Sequence, residues 1–166
     1  MGDGIRLGAL EHGTAHRTRL REILEATRVF KADEVEVALE LFDETATSSS
    51  DDDAPYQFLG AFDHSGELMG YACYGATPGA DRTFDLYWIA MHPKAQGLGG
   101  GTALLADVER RVAEQEARMI VVETSSRPEY DATRRFYRGR GYDAAARMSD
   151  FYAAGDDRLV FTKRFP

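Results

Sequence analysis

His92-Pro93-Lys94-Ala95-Gln96-Gly97-Leu98-Gly99-Gly100-Gly101-Thr102-Ala103-Leu104-Leu105 joins an apolar, strand-like run, Phe84 to Met91, to a run with helical periodicity. A glycine-rich turn at such a junction leaves backbone N–H groups without intrahelical partners at the positive end of a helix dipole, where an anion is favoured. Gly99, Gly100 and Gly101 carry no Cβ, so this stretch can take positive φ and bring main chain close to a ligand. The segment therefore reads as a cradle for a pyrophosphate or phosphate ester.

Spacing narrows the ligand. A P-loop needs G-x-x-x-x-G-K-[ST], whose lysine reaches the terminal phosphates, and here Thr102 follows Gly101 directly. A dinucleotide fingerprint, G-x-G-x-x-G, started at Gly97 or Gly99 finds Thr102 or Leu104 where the third glycine belongs. Glu123, near the end of the next strand, stands roughly where a ribose-binding acid is expected, which keeps a nucleotide-cofactor oxidoreductase as a lesser reading. The frame that fits is [Q/R]-x-x-G-x-[G/A], as Gln96 to Gly101.

The chain has 166 residues, of which 43% are hydrophobic, with 16 glycines and 5 prolines. That is enough for one domain, residues 1–166, with a substantial core. A formal net charge of −8 argues against nucleic acid or an anionic membrane as a partner and is compatible with a cationic amine. The single cysteine, Cys73, cannot form an internal disulfide. With no apolar run of membrane-spanning length and no signal-like N-terminus, the expected location is cytoplasmic.

Outward from the glycine turn, periodicity predicts a strand at Ile5 to Leu10 and helices at His16 to Val29 and Asp33 to Glu44. The acidic stretch around 46–54, with Thr47, three serines and three aspartates in a row, is expected to be a mobile loop. Tyr56 to Phe62 and Leu68 to Tyr74, separated by Asp63-His64-Ser65-Gly66, read as a hairpin. Then follow a strand at 84–91, a helix at 102–116, a strand at 118–124, a helix at 131–139, and a pair of strands around Tyr142 to Phe151 and Arg158 to Phe165. Met119 to Val122 is continuously apolar, as expected of a strand covered on both faces. The alternation implies an α/β fold (α+β, mixed sheet) flanked by helices.

The Gln96 to Gly101 frame resembles the acyl-CoA-binding motif of the GNAT superfamily of N-acetyltransferases, with Gly100 where that family usually has a larger apolar residue. Downstream, Arg134-Arg135-Phe136-Tyr137-Arg138-Gly139-Arg140-Gly141-Tyr142 resembles its FY-x-x-x-G-[FY] segment. Similarity is strong over residues 56 to 165 and weaker before. The resemblance implies a central mixed sheet whose parallel strands splay at the acyl-CoA site. It further implies acetyl-CoA as co-substrate, with its pyrophosphate on the backbone of Gln96, Gly97, Leu98, Gly99, Gly100, Gly101 and Thr102 and its pantetheine arm along Ile89, Ala90 and Met91. Tyr137 matches the family's general-acid tyrosine, and Thr133 lies among the positions near the cofactor thiol. Tyr130 and Thr133 replace the Asn and Ala more usual at their offsets.

Transfer of an acetyl group to an amine requires the free base, and an alkyl ammonium with a pKa near ~10.4 must first lose a proton. Two carboxylates are placed to take it: Asp85, expected to alternate with Tyr87 and Ile89 on one strand face, and Glu123, at a strand end beside the cofactor loop. Of the two, Glu123 is preferred. Trp88, Tyr71 and Tyr74 could line an acceptor pocket, although for aromatics in strands the core is the default expectation. Cys73 has no sequence-placed base to activate it, and no His or Cys spacing resembles a metal site, so no metal is expected. The expected partners are acetyl-CoA and an amine of unidentified class, and a homodimer is compatible with the chain. The competing reading is a catalytically inactive acyl-CoA-binding regulatory or interaction domain, against which Tyr137 argues.

Overall fold

The computed structural model describes residues 4–46 and 54–166, so the acidic loop expected around 46–54 lies, apart from Ala46 and Ala54, outside the described residues. The elements run β1 (Arg6–Ala9), α1 (Thr14–Ala26), α2 (Ala32–Ala46), β2 (Gln57–Phe62), β3 (Leu68–Ala76), β4 (Thr83–Met91), α3 (Gly100–Glu114), β5 (Met119–Ser125), α4 (Asp131–Arg138), β6 (Asp143–Ala153) and β7 (Asp156–Arg164). Short 3₁₀ turns at Pro93–Ala95 and Pro128–Tyr130 precede α3 and α4.

All seven strands join one sheet in the order β1-β2-β3-β4-β5-β7-β6, antiparallel except for β4 against β5. The hairpin turn is held by Asp63, whose Oδ1 accepts from the N–H groups of Ser65 (2.9 Å) and Glu67 (3.0 Å). That is the Asx turn its sequence calls for.

Each face of the sheet buries its own apolar cluster. On one side Leu104, Leu105, Val108 and Val112 of α3 pack on Leu59, Phe84, Leu86, Ile120 and Phe161. On the other, α1 and α2 contribute Leu20, Ile23, Leu24, Leu39 and Phe42 over Phe62, Tyr71, Cys73 and Ala90. Four of the five α2 residues buried in the structure, Val35, Ala38, Leu39 and Phe42, follow the i, i+3, i+4, i+7 stripe read from sequence.

Two irregularities create the site. Strand β4 pairs with β5 only at Thr83 to Met119, Phe84 to Ile120 and Asp85 to Val121. Past Asp85 the strands run on to Met91 and Ser125 without pairing, so the sheet opens as a V with Asp85 at its apex. Between β3 and β4 the register slips, with Cys73 opposite Trp88 but Tyr74 opposite Leu86, which leaves Tyr87 as the extra residue of a β-bulge. The simple alternation of Asp85, Tyr87 and Ile89 is thereby broken. Tyr87 and Trp88 pack toward α1 and α2, whereas Ile89 packs with Leu86 and Met91 toward α3.

Nor is β5 covered on both faces, as its apolar run suggests. Ile120 and Val122 are buried, but Val121 is only half-buried and Glu123 is exposed.

Candidate active site

The open half of the V communicates with two cavities that share Phe30, Ile89 and Thr133. The larger, about 670 Å³, lies between the glycine turn, the end of β4 and the exposed flank of α4. The smaller, about 410 Å³, lies between β4, β5 and the start of α2.

The glycine turn is built for the first cavity. Positive φ falls at Gly97 (82°) and Gly99 (81°), not at Gly100 or Gly101, which begin the helix itself. Gly99 is the N-cap and its carbonyl accepts from Ala103 N (2.9 Å), so the N–H groups of α3's first turn have no side-chain cap. They are the donors an anion would meet. A Cβ on Gly97 or Gly99 would meet nothing within 4 Å, so both face open space, and a side chain would intrude there on whatever is bound. Gly100 has a different reason to be small: its Cβ would stand 2.5 Å from Met91 Cε. The Met91 side chain thus fills the volume that the family's larger residue would occupy. Gln96 pins the turn to the strand by donating from Nε2 to Met91 O (3.3 Å).

Of the residues assigned to the cofactor from sequence, Ile89, Ala90, Met91, Gln96, Gly97, Gly99, Gly100, Gly101, Thr102 and Thr133 line this cavity. Leu98 does not, its side chain standing out at 53% exposure. Tyr137 lines the other cavity.

Sequence reasoning missed Arg140. Its guanidinium lies 3.8 Å over the Phe136 ring, donates to Phe136 O (3.0 Å) and Thr102 Oγ1 (2.5 Å), and leaves a buried Nε without a protein partner. A fixed cation beside a bare helix N-terminus suits an anionic ligand. The signal was present: Arg140 lies four residues after Phe136 within the quoted downstream segment.

In the second cavity Tyr137 is 3% exposed, edge-on to Tyr142 with ring centroids 5.4 Å apart. Burial pushes its phenol well above the ordinary tyrosine value, so it holds its proton at neutral pH. Asp85 accepts from Thr77 Oγ1 (2.7 Å) and Tyr87 OH (3.4 Å), and Tyr87 in turn is pushed up to about 12, by burial first and the Asp85 charge second. Glu123 is engaged differently, in an ion pair with Arg158, its side chain 41% exposed.

A cluster not anticipated from sequence closes the α2 side. Glu34 accepts from Tyr130 OH (3.0 Å), Arg127 (3.1 Å) and Lys31 N (2.5 Å), while Arg127 also reaches Asp156 (3.5 Å). Tyr130, the departure from the family pattern, therefore ties α4's approach to α2. Cys73 is buried, with its thiol pushed up by desolvation, and takes no part in either cavity. Among the described residues no group of three or more His, Cys, Asp or Glu could hold a metal ion, and no helix is long and apolar enough to cross a membrane.

A mixed sheet split between two parallel strands, with a glycine-capped helix at the split, defines an acyltransferase class, and comparison with known proteins agrees. The GNAT acetyltransferase family model matches residues 18–142. A crystal structure from Desulfovibrio desulfuricans, assigned to the GNAT acetyltransferases, is 36% identical over 97% of this chain and 99% of its own, with a TM-score of 0.87. Two more distant structures share the fold. PaiA N-acetyltransferase from Thermoplasma acidophilum, in complex with coenzyme A, is 14% identical over 98% and 99% of the two chains (TM-score 0.72). The yncA protein of Salmonella typhimurium, with its cofactor acetyl-CoA, is 17% identical over 98% and 95% (TM-score 0.71). No curated protein matches the chain. The chain belongs to the GNAT family of acetyltransferases.

Proposed function

We propose that this protein transfers an acetyl group from acetyl-CoA directly to a primary amine, with the larger cavity holding the co-substrate and the smaller one the acceptor. The observation that carries this reading is that the two cavities share Phe30, Ile89 and Thr133 in their walls at the open V, with Tyr137 and Asp85 both lining the acceptor side. Acetyl-CoA, when bound, supplies the acetyl carbonyl as an activated thioester.

The chain's own residues have separable tasks. The α3 amides and Arg140 bind phosphate, and the unpaired edge of β4 from Ile89 to Met91 takes the pantetheine arm. Asp85 first accepts the proton of the incoming ammonium, directly or through water, and the free amine then forms the new C–N bond. Tyr137 gives its proton to the thiolate as the C–S bond breaks, and the second proton, shed by the nitrogen as it becomes an amide, restores the phenol. Asp85 is favoured over Glu123 because its partners are two neutral hydroxyls, whereas Glu123 is held by Arg158.

Acetyl-CoA-dependent thiol release across a panel of amines tests the activity and separates it from that of an acyl-CoA-binding domain without turnover. Gly99→Val puts a β-branched side chain at φ 81°, where the chirality penalty is about 1–2 kcal/mol, and into the open face of the cradle. Calorimetry should then give acetyl-CoA affinity at least tenfold weaker, with helical content retained by circular dichroism. Arg140→Gln removes one charge-assisted contact, worth about 1.5–3 kcal/mol. Its acetyl-CoA affinity should fall about tenfold or more at low salt, and the dependence on salt should become shallower than in the parent. Parental affinity in both variants would place the phosphates elsewhere.

A further inference from the structure

Four carboxylates, Asp33, Glu34, Asp85 and Glu123, line the smaller cavity, and among the described residues no lysine, arginine or histidine lines it. Arg127 and Arg158 neutralise Glu34 and Glu123 from behind. Asp33 and Asp85 have no basic partner among the described residues: Asp33 Oδ1 accepts from Glu34 N (3.0 Å), and Asp85 takes the hydroxyls of Thr77 and Tyr87.

A second, independent feature marks this wall as made for a polar ligand. Thr124 is 3% exposed and its Oγ1, which can accept, has no hydrogen-bond partner in the protein; Trp88 Nε1 is also buried and unpartnered, but as a donor only it would not be satisfied by an ammonium. Both residues line the cavity. A buried polar atom left without a partner is costly, which argues for a partner that arrives with the ligand.

We infer that the preferred acceptor is a small aliphatic diamine or polyamine, whose second ammonium group is held at Asp33 while the reacting amine lies toward Asp85. This rests on the transferase reading above. The reacting nitrogen gives up its single positive charge on becoming a neutral amide, so Asp85 accounts for that charge and Asp33 for another that persists through the reaction. The Thr124 hydroxyl oxygen can accept an ammonium N–H. The rings of Tyr87, Trp88, Tyr130 and Tyr152 line the same cavity, and such faces attract a cation where they exclude water. An acceptor bearing a carboxylate would meet the unneutralised charges of Asp33 and Asp85, with no cation in the described lining to offset them.

The test compares 1,4-diaminobutane, n-butylamine and 4-aminobutanoate as acceptors near pH 7.5, by thiol release with acetyl-CoA at saturation. The diamine should exceed n-butylamine in kcat/KM by about tenfold or more, with 4-aminobutanoate the poorest. Asp33→Asn keeps a side-chain oxygen that can accept from Glu34 N in the first turn of α2 while removing the charge, and should cut the diamine-to-monoamine ratio about fivefold, the worth of a solvent-exposed charge contact. Equal rates for the three amines, or an Asp33→Asn ratio equal to the parent's, would overturn the inference. Silence with every amine while acetyl-CoA still binds would instead overturn the transferase reading. In that event calorimetric binding of the diamine against n-butylamine decides the charge preference, and equal affinities refute it.

Discussion

Tyr137→Phe is expected to lower kcat by about 10²- to 10⁴-fold while leaving acetyl-CoA affinity within about twofold of the parent. Phenylalanine keeps the ring that packs between Phe136 and Tyr142 and deletes only the proton donor, and general acids contribute rate in that range. Because burial raises the phenol above its ordinary value, the tyrosine stays protonated to more alkaline pH than a free one. The parent should therefore show no loss of kcat from phenol ionisation below about pH 10. Single-turnover thiol release at saturating acetyl-CoA reads the effect directly. An unchanged kcat in the variant would show that solvent protonates the leaving thiolate.

Asp85→Asn should produce the other large change, a fall of about 10²-fold in kcat/KM near neutral pH. Its signature is the pH profile. An alkyl ammonium near ~10.4 has little free base at pH 7, so removal of the proton acceptor costs most there and progressively less as pH approaches the amine's own value. The parallel variant Glu123→Gln breaks an ion pair at the rim and should change kcat/KM by less than about fivefold at every pH. If the two variants exchange profiles, with Glu123→Gln steep and Asp85→Asn flat, the base is Glu123.

The contrast between these two carboxylates shows where the sequence stops being legible. Both sit at strand positions beside the cofactor turn, and strand alternation alone favours neither. What separates them is non-local: Arg158 lies 35 residues beyond Glu123 and reaches it only through the pairing of β5 with β7. The bulge at Tyr87 is equally silent, since no glycine or proline marks it and it arises from the register of β3 against β4. Ile89 therefore turns to the opposite face from the one its spacing predicts.

Features set by local chemistry could be read much further. The helix expected at 102–116 lies at Gly100–Glu114 because Leu105, Val108 and Val112 set its phase, while the glycines at its start blur only the first turn. The Asp63 turn and the apolar stripe of α2 were legible for the same reason. The phosphate cradle could be placed from spacing, but which glycines take positive φ could not, since Gly100 is small for a packing reason supplied by Met91.

The unpaired half of β4 and β5 has a consequence beyond catalysis. From Leu86 to Met91 and from Val122 to Ser125 each strand lacks one neighbour, so the sheet is incomplete along that stretch until something with peptide-like groups lies in the gap. A co-substrate that fills it binds only the native chain, and mass action then adds about 2.7 kcal/mol of stability at one hundred times its dissociation constant. At that occupancy the protein would resist unfolding, and proteolysis of its open forms, more with the acyl donor bound than without it.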